Sequence, residues 1–302
     1  MTLTEQIHSA ARDLLQTGTV DCVIGYEEGP RGRVRPAFII DAEKVEALAW
    51  DQRCTHNLTV YLTDHLGDEE DPRRVAILAK PCDTRAIQVL QAEGRIDRER
   101  VHVIGVACDG ILQGAGYGKG EHNQLQERCM RCDQRTPLTA DTCIGEARSV
   151  EVQERTDLQA MEALSLEERT QYWLGQFDRC IRCYACRQVC PMCDCPTCMF
   201  ERDDSLWVGM GSGIAEKRTF HLGRAFHLAG RCIGCDECQR VCPMDIPVGL
   251  LNRKLAAVME DFFDFQPGME PLPSPLTTIV EEQALAVAER GYGRRTGEEG
   301  PQ

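Results

Sequence analysis

No stretch of this chain approaches the roughly 18 uninterrupted apolar residues of a membrane span, so membrane insertion is not expected. The opening, MTLTEQIHSAARDLL, has no basic region followed by an apolar run. No secretory signal is therefore expected, and the expected compartment is the cytoplasm. Positive charge is scarce: 34 Lys and Arg stand against 48 Asp and Glu, leaving a net charge of -14. A nucleic-acid backbone or an anionic membrane surface would repel such a chain, and neither is expected as a partner. The sequence also shows no Ser/His/Asp set, no paired-carboxylate signature and no His-rich metal motif. No residue is assigned a catalytic role.

Cysteine is what the chain has in excess, with 18 in 302 residues. Enrichment of that order means a disulfide scaffold or metal binding. In a reducing cytoplasm the thiols stay unpaired and serve as metal ligands.

The length suits two domains plus connecting segments. Leu3, Ile7, Ala10, Ala11, Leu14 and Leu15 recur on one helical face and open the first domain. Apolar runs at 20–25, 34–40, 75–79 and 101–107 read as strands. Helical stretches at about 43–50, 55–66 and 84–93 alternate with them, which predicts an α/β domain with a largely parallel sheet over residues 1–150. Residues 151–177 are expected to form a polar helical connector, 178–260 a cysteine-rich, α-helical ferredoxin-like domain, and 261–302 a proline-rich break, one further helix and a tail.

Two runs of C-x2-C-x2-C-x3-C-P spacing dominate the third segment: Cys180, Cys183, Cys186 and Cys190 before Pro191, then Cys232, Cys235, Cys238 and Cys242 before Pro243. The two-residue gaps let three thiolates wrap one cubane, while the last cysteine of each run points away. In two-cluster ferredoxins that last cysteine serves the other cluster. Cys180, Cys183, Cys186 and Cys242 are therefore assigned to one 4Fe-4S cluster, and Cys232, Cys235, Cys238 and Cys190 to a second. Zinc would use two C-x2-C pairs and leave the triple spacing and the repeated Cys-Pro unexplained. Cys193, Cys195 and Cys198 are surplus to both clusters and stand as a further metal site or as a local redox or packing feature.

In the first domain, Cys82 and Cys108 each follow a predicted strand. Ligands of open α/β sheets gather at the carboxyl ends of strands, so both thiols are expected on the functional edge. Cys129 and Cys132 form a C-x2-C pair. A third 4Fe-4S cluster on Cys108, Cys129, Cys132 and either Cys54 or Cys82 is the expectation; isolated cysteines otherwise behave as small buried hydrophobes. Cys143 is a lesser candidate, and Cys22 is expected in the core. Gly114, Gly116 and Gly118 offer backbone amides for a flavin phosphate or form a surface loop. Lys80 and Arg85 are candidates for an anionic cofactor such as FAD, or are surface charges.

The segments AKPCDTRAIQVLQ and VIGVACDG, with the Cys129/Cys132 pair, resemble the beta-subunit family of deazaflavin-reducing hydrogenases and dehydrogenases, which includes formate dehydrogenase beta subunits. The resemblance covers roughly residues 15–150 and implies a flavin and a 4Fe-4S cluster exchanging electrons. Members more often carry their ferredoxin motif ahead of this domain, whereas here the dicluster module follows it. That module resembles the α-helical ferredoxins of heterodisulfide-reductase and succinate-dehydrogenase iron–sulfur subunits. The reading that follows is an electron-transfer subunit of a cytoplasmic redox complex of heterodisulfide-reductase-like, hydrogenase or formate dehydrogenase type. It would relay electrons through two or three 4Fe-4S clusters to other subunits, as an oxidoreductase subunit and not a stand-alone enzyme. The alternatives are a flavin-containing subunit exchanging electrons between a deazaflavin or other two-electron donor and the clusters, and a redox sensor whose clusters report oxygen or iron.

Overall fold

The computed structural model describes residues 1–66, 72–113, 124–147, 152, 156–202, 208–209 and 211–276. The glycines Gly114, Gly116 and Gly118 and the helix expected after residue 276 lie outside the described residues.

Helix α1 (Leu3–Gln16) starts where Thr2 and Glu5 close a capping box, and it buries Ile7 and Ala11 against the sheet. Strands β1 (Cys22–Glu28) and β2 (Val34–Ile39) form an antiparallel pair. β3 (Val75–Ala79), β4 (Val101–Val106) and β5 (Thr142–Ile144) join β1 in parallel, giving the order β2-β1-β3-β4-β5. All five residues of β3 are buried, the signature of a central parallel strand covered on both faces. The largely parallel sheet is thus as expected, with β2 as its antiparallel edge. β5 was not anticipated: Thr142-Cys143-Ile144 is too short to show an alternation.

The helices depart from expectation at their starts. Residues 43–50 give only a 3-10 helix over Ala42–Ala47. α2 covers Val60–Leu66. α3 begins at Pro81 rather than residue 84 and runs to Ala92. Proline tolerates the first helical position because its missing N–H is unpaired there anyway. The buried Asp83 carboxylate then accepts the Lys80 amide at 2.9 Å. Cys22 heads β1 half-buried, packed beside the core and not inside it.

The short α4 (Glu127–Met130) carries Cys129. The connector is two helices, α5 (Thr156–Ala163) and α6 (Leu166–Asp178), the latter capped by Ser165 and Glu168. The cysteine-rich module is helical as expected: α7 (Ala185–Gln188), α8 (Ile214–His227), α9 (Glu237–Arg240) and α10 (Val248–Phe263).

The two halves are fastened by arginines. Arg128 on α4 is ion-paired with Glu237 and donates to Cys235 O at 2.7 Å and Thr55 O at 3.1 Å. Arg131 meets Asp236 at 2.7 Å. On the far side Arg231 bridges Glu93 and Asp194, while Arg95 also holds Asp194. The seam therefore runs along the C-terminal ends of β3 and β4, where Cys82 and Cys108 stand.

Candidate metal centres

The two cysteine runs fold as repeats of one another. In the first, Arg182 has φ 54° and Tyr184 φ 59°; at the matching places of the second, Gly234 has φ 70° and Asp236 φ 48°. Each left-handed pair curls the loop so that its amides turn inward. The Arg182 amide donates to Cys180 Sγ at 3.3 Å, and the Gly234 amide likewise donates to Cys232. Glycine takes this conformation freely. Arg182 carries the steric cost and offsets it by anchoring, with Nη1 donating to Gly209 O at 3.0 Å.

The fourth cysteines cross over. Cys180, Cys183, Cys186 and Cys242 line one cavity of about 20 Å³, walled by Phe220, His221 and Ile246. The Cys242 sulfur accepts the Ile246 amide at 3.4 Å. Cys190 lies within electrostatic reach of Cys232, Cys235 and Cys238, and Asn252 donates to the Cys238 sulfur at 3.7 Å. Each run thus contributes three sulfurs to one group and one to the other.

In the first domain Cys82, Cys108, Cys129 and Cys132 line a single cavity of about 150 Å³ on the seam, and Cys232 and Cys235 line the same cavity from the other side. The turn after β4 aims the Cys108 sulfur: Gly110, at φ 100°, donates its amide to it at 3.4 Å. The Ile111 amide donates to Cys129 Sγ at 3.3 Å. Cys54 is not part of this group. Its sulfur is fully buried in the sheet domain, accepting from the Asp51 amide at 3.4 Å and donating to Ala49 O at 3.8 Å. Burial pushes that thiol up to about 12, so it behaves as a small core residue. Of the two alternatives for the fourth position, the fold brings Cys82 to the cavity. Cys143 is exposed on β5, away from it.

Burial pushes the Cys108, Cys186 and Cys232 thiols up to about 11, and Cys82 and Cys235 well above their ordinary value. Sulfurs gathered this deeply stay protonated unless a cation occupies the space between them. The donor chemistry fits an iron–sulfur cluster better than one ion. Among the described residues, no three Cys, His, Asp or Glu side chains converge closely enough to share a single metal. Two orphaned polar atoms point the same way. Asn57 Nδ2 and His221 Nε2 are buried without a partner, the first on the seam cavity and the second on the cavity of Cys180. Sequence reasoning missed both, because an isolated Asn or His carries no spacing signal.

Neither cation proposed for an anionic cofactor is free. Lys80 lines the seam cavity with its ammonium committed to Tyr26, His56 O and the Asp83 carboxylate, and Arg85 donates to Pro267 O at 2.8 Å. Both are part of the wall. Among the described residues no helix is long and apolar enough to cross a membrane.

Residues 176–246 match a family model described as a 4Fe-4S dicluster domain. Along most of its length the chain is similar to the F420-dependent formate dehydrogenase subunit beta of Methanocaldococcus jannaschii, 23% identical over 332 aligned positions that cover 81% of this chain and 86% of that protein. It is also similar to the F420-dependent formate dehydrogenase 1 subunit beta of Methanococcus maripaludis, 23% identical over 354 positions covering 87% and 90%. The resemblance carried by the motifs therefore extends through both domains, and 4Fe-4S clusters are the groups the cysteine-rich module is built for.

Proposed function

We propose that this chain is an electron-relay subunit of a cytoplasmic redox complex, with a third 4Fe-4S cluster on Cys82, Cys108, Cys129 and Cys132 beside the two of the ferredoxin-like module. One observation carries the reading: the four thiols of the first domain and two from the second motif, Cys232 and Cys235, face a single cavity. Two neighbouring redox groups there need no intervening protein. The relay would run from the sheet domain to the group of Cys190 and Cys232, and then to that of Cys180 and Cys242.

When bound, each cluster supplies one-electron transfer without a general acid or base. The chain's own residues hold and insulate it. Amides of Arg182, Gly234, Gly110 and Ile111 donate to ligand sulfurs and stabilise their negative charge. Phe220, Ile246 and Val248 exclude water from the first cavity. Arg128 and Arg131 place positive charge along the seam, where sulfur-rich anionic groups meet.

The names of the two relatives support membership of a formate dehydrogenase assembly, with partners in its other subunits. They also favour a second reading, in which the sheet domain takes a flavin and exchanges electrons with a deazaflavin; stoichiometric flavin in the anaerobically purified chain would establish it.

The test is Cys108→Ser, purified anaerobically beside the parent chain. The reading predicts loss of about four irons and four sulfides per chain, with the two ferredoxin-type clusters retained. Equal iron in parent and variant would overturn the third cluster.

A further inference from the structure

The three cysteines that neither ferredoxin-type cluster uses share a cavity of their own. Cys193, Cys195 and Cys198 line a space of about 30 Å³ closed by Phe200 and Phe220, slightly larger than the cavity of about 20 Å³ ringed by Cys180, Cys183, Cys186 and Cys242. The loop that presents them is pinned. Asp194, between the first two, is buried and held by Arg95 and Arg231, and Arg187 Nη2 donates to Cys195 O at 3.4 Å. Arg231 also donates to Met192 O at 2.9 Å. Arginines from three separate segments thus hold the loop on both flanks.

The electrostatics point to an anion. Arg224, on α8, lines this cavity and is only 5% exposed. Its Nη2 donates to Cys186 O at 3.0 Å, but its Nε is buried with no partner. Among the described residues no carboxylate is paired with it; its electrostatic neighbours are the sulfurs of Cys190, Cys193, Cys238 and Cys186. Three of these sulfurs belong to the two ferredoxin-type groups, and the fourth, Cys193, is the surplus cysteine that Arg224 reaches with a side-chain hydrogen bond. An anionic group between the three surplus sulfurs would accept the free N–H and share the charge.

We propose that Cys193, Cys195 and Cys198 hold an additional 4Fe-4S cluster, with His227 on the same wall supplying an imidazole for its fourth corner. Thiolate is the usual ligand of cluster iron, and imidazole takes its place on one iron of Rieske-type centres, so both ligand types on this wall can bind cluster iron. Among the described residues no three of these side chains stand close enough to share one metal ion, so the spread of the sulfurs suits a larger group. The site adjoins the relay, since the Cys193 sulfur lies beside that of Cys190, one of the ligands assigned to the second cluster. A cluster here would form a branch from the middle of the chain of centres. Its mouth opens at the exposed Cys195 and His227.

The full chain, purified anaerobically, provides two independent tests. First, Cys195→Ser/Cys198→Ser should lose about four irons and four sulfides per chain relative to the parent, whatever Cys108→Ser does. Unchanged iron, or loss of one zinc in place of iron, would overturn the proposal. Second, iodoacetamide labelling of the unmutated chain avoids any folding defect of a variant. Cys143 and Cys195 are both exposed, so as free thiols they should react alike. Ligation predicts that Cys195 reacts at least about tenfold more slowly than Cys143 until iron is chelated, because only a free thiolate is the nucleophile. Equal labelling before chelation would overturn it.

Discussion

Arg128 of the sheet domain and Glu237 of the dicluster module form a buried ion pair across the seam, with Glu237 at 0% exposure. Burial alone would push the Glu237 carboxyl up, but Arg128 and Arg240 outweigh it and hold it at about 2. The carboxylate is charged at any working pH and depends on its two arginines to be so.

Removing Arg128 leaves that charge half-compensated, together with Cys235 O and Thr55 O stripped of a donor. Arg128→Leu should destabilise the docked form by about 3–5 kcal/mol, the range for breaking a buried pair on one side. Anaerobic denaturant titration measures the loss. Hydrogen exchange should show the deprotection concentrated at residues 124–134 and 232–240.

The seam should also respond to acid through His56. Burial, helped by Arg240, Lys80 and Arg128 and opposed by Glu237, lowers its pKa below the ordinary 6.5. Its Nδ1 faces Arg240 Nη2 at 3.4 Å. The unfolded chain therefore takes up the proton first, so this contribution to stability is complete above pH 6.5 and declines as the pH falls below it. His56→Gln should flatten the slope of denaturation midpoint against pH between about pH 7 and about pH 5.5.

The crossed arrangement of the motif cysteines makes a non-additive prediction. Cys183→Ser/Cys242→Ser disables one cluster twice and should lose about four irons, whereas Cys235→Ser/Cys242→Ser disables both and should lose about eight. The reverse order would show that each run holds its own cluster.

His221 offers a prediction about potential. It stacks on Phe177 with ring centroids 4.8 Å apart, and its Nε2 is orphaned on the cavity of Cys180. Burial and the charges of Arg224 and Arg182 lower its pKa to about 4, so it is neutral and can donate one N–H. Hydrogen bonds to a cluster favour its reduced form. His221→Phe should keep the iron content and move one potential to more negative values in a redox titration; an unmoved potential would limit His221 to packing.

The parts legible in the sequence were those with a local signal. β3 lies where its apolar run placed it, at Val75–Ala79, and the repeated cysteine spacing marked the dicluster module that the family model matches over residues 176–246. What escaped was set by distance along the chain. Arg128 and Glu237 are 109 positions apart, and nothing in either neighbourhood announces the other. The choice between Cys54 and Cys82 was open in the sequence, because only the folded chain shows which of them reaches Cys108, Cys129 and Cys132; the fold separates them by burying Cys54 and turning Cys82 onto the seam. Arg224 reads as one charge on an amphipathic helix until the fold surrounds it with sulfurs.

The measurement that tests the relay most directly is low-temperature electron paramagnetic resonance of the fully reduced chain beside its Cys108→Ser variant. Cys82, Cys108, Cys129 and Cys132 share a cavity with Cys232 and Cys235, so a cluster on the first four would lie close enough to its neighbour for their spins to interact. The account predicts a broadened, interacting spectrum in the parent, and in the variant the loss of one spin per chain together with its share of the broadening, leaving only the coupled pair of the dicluster module. Superimposable spectra would contradict it.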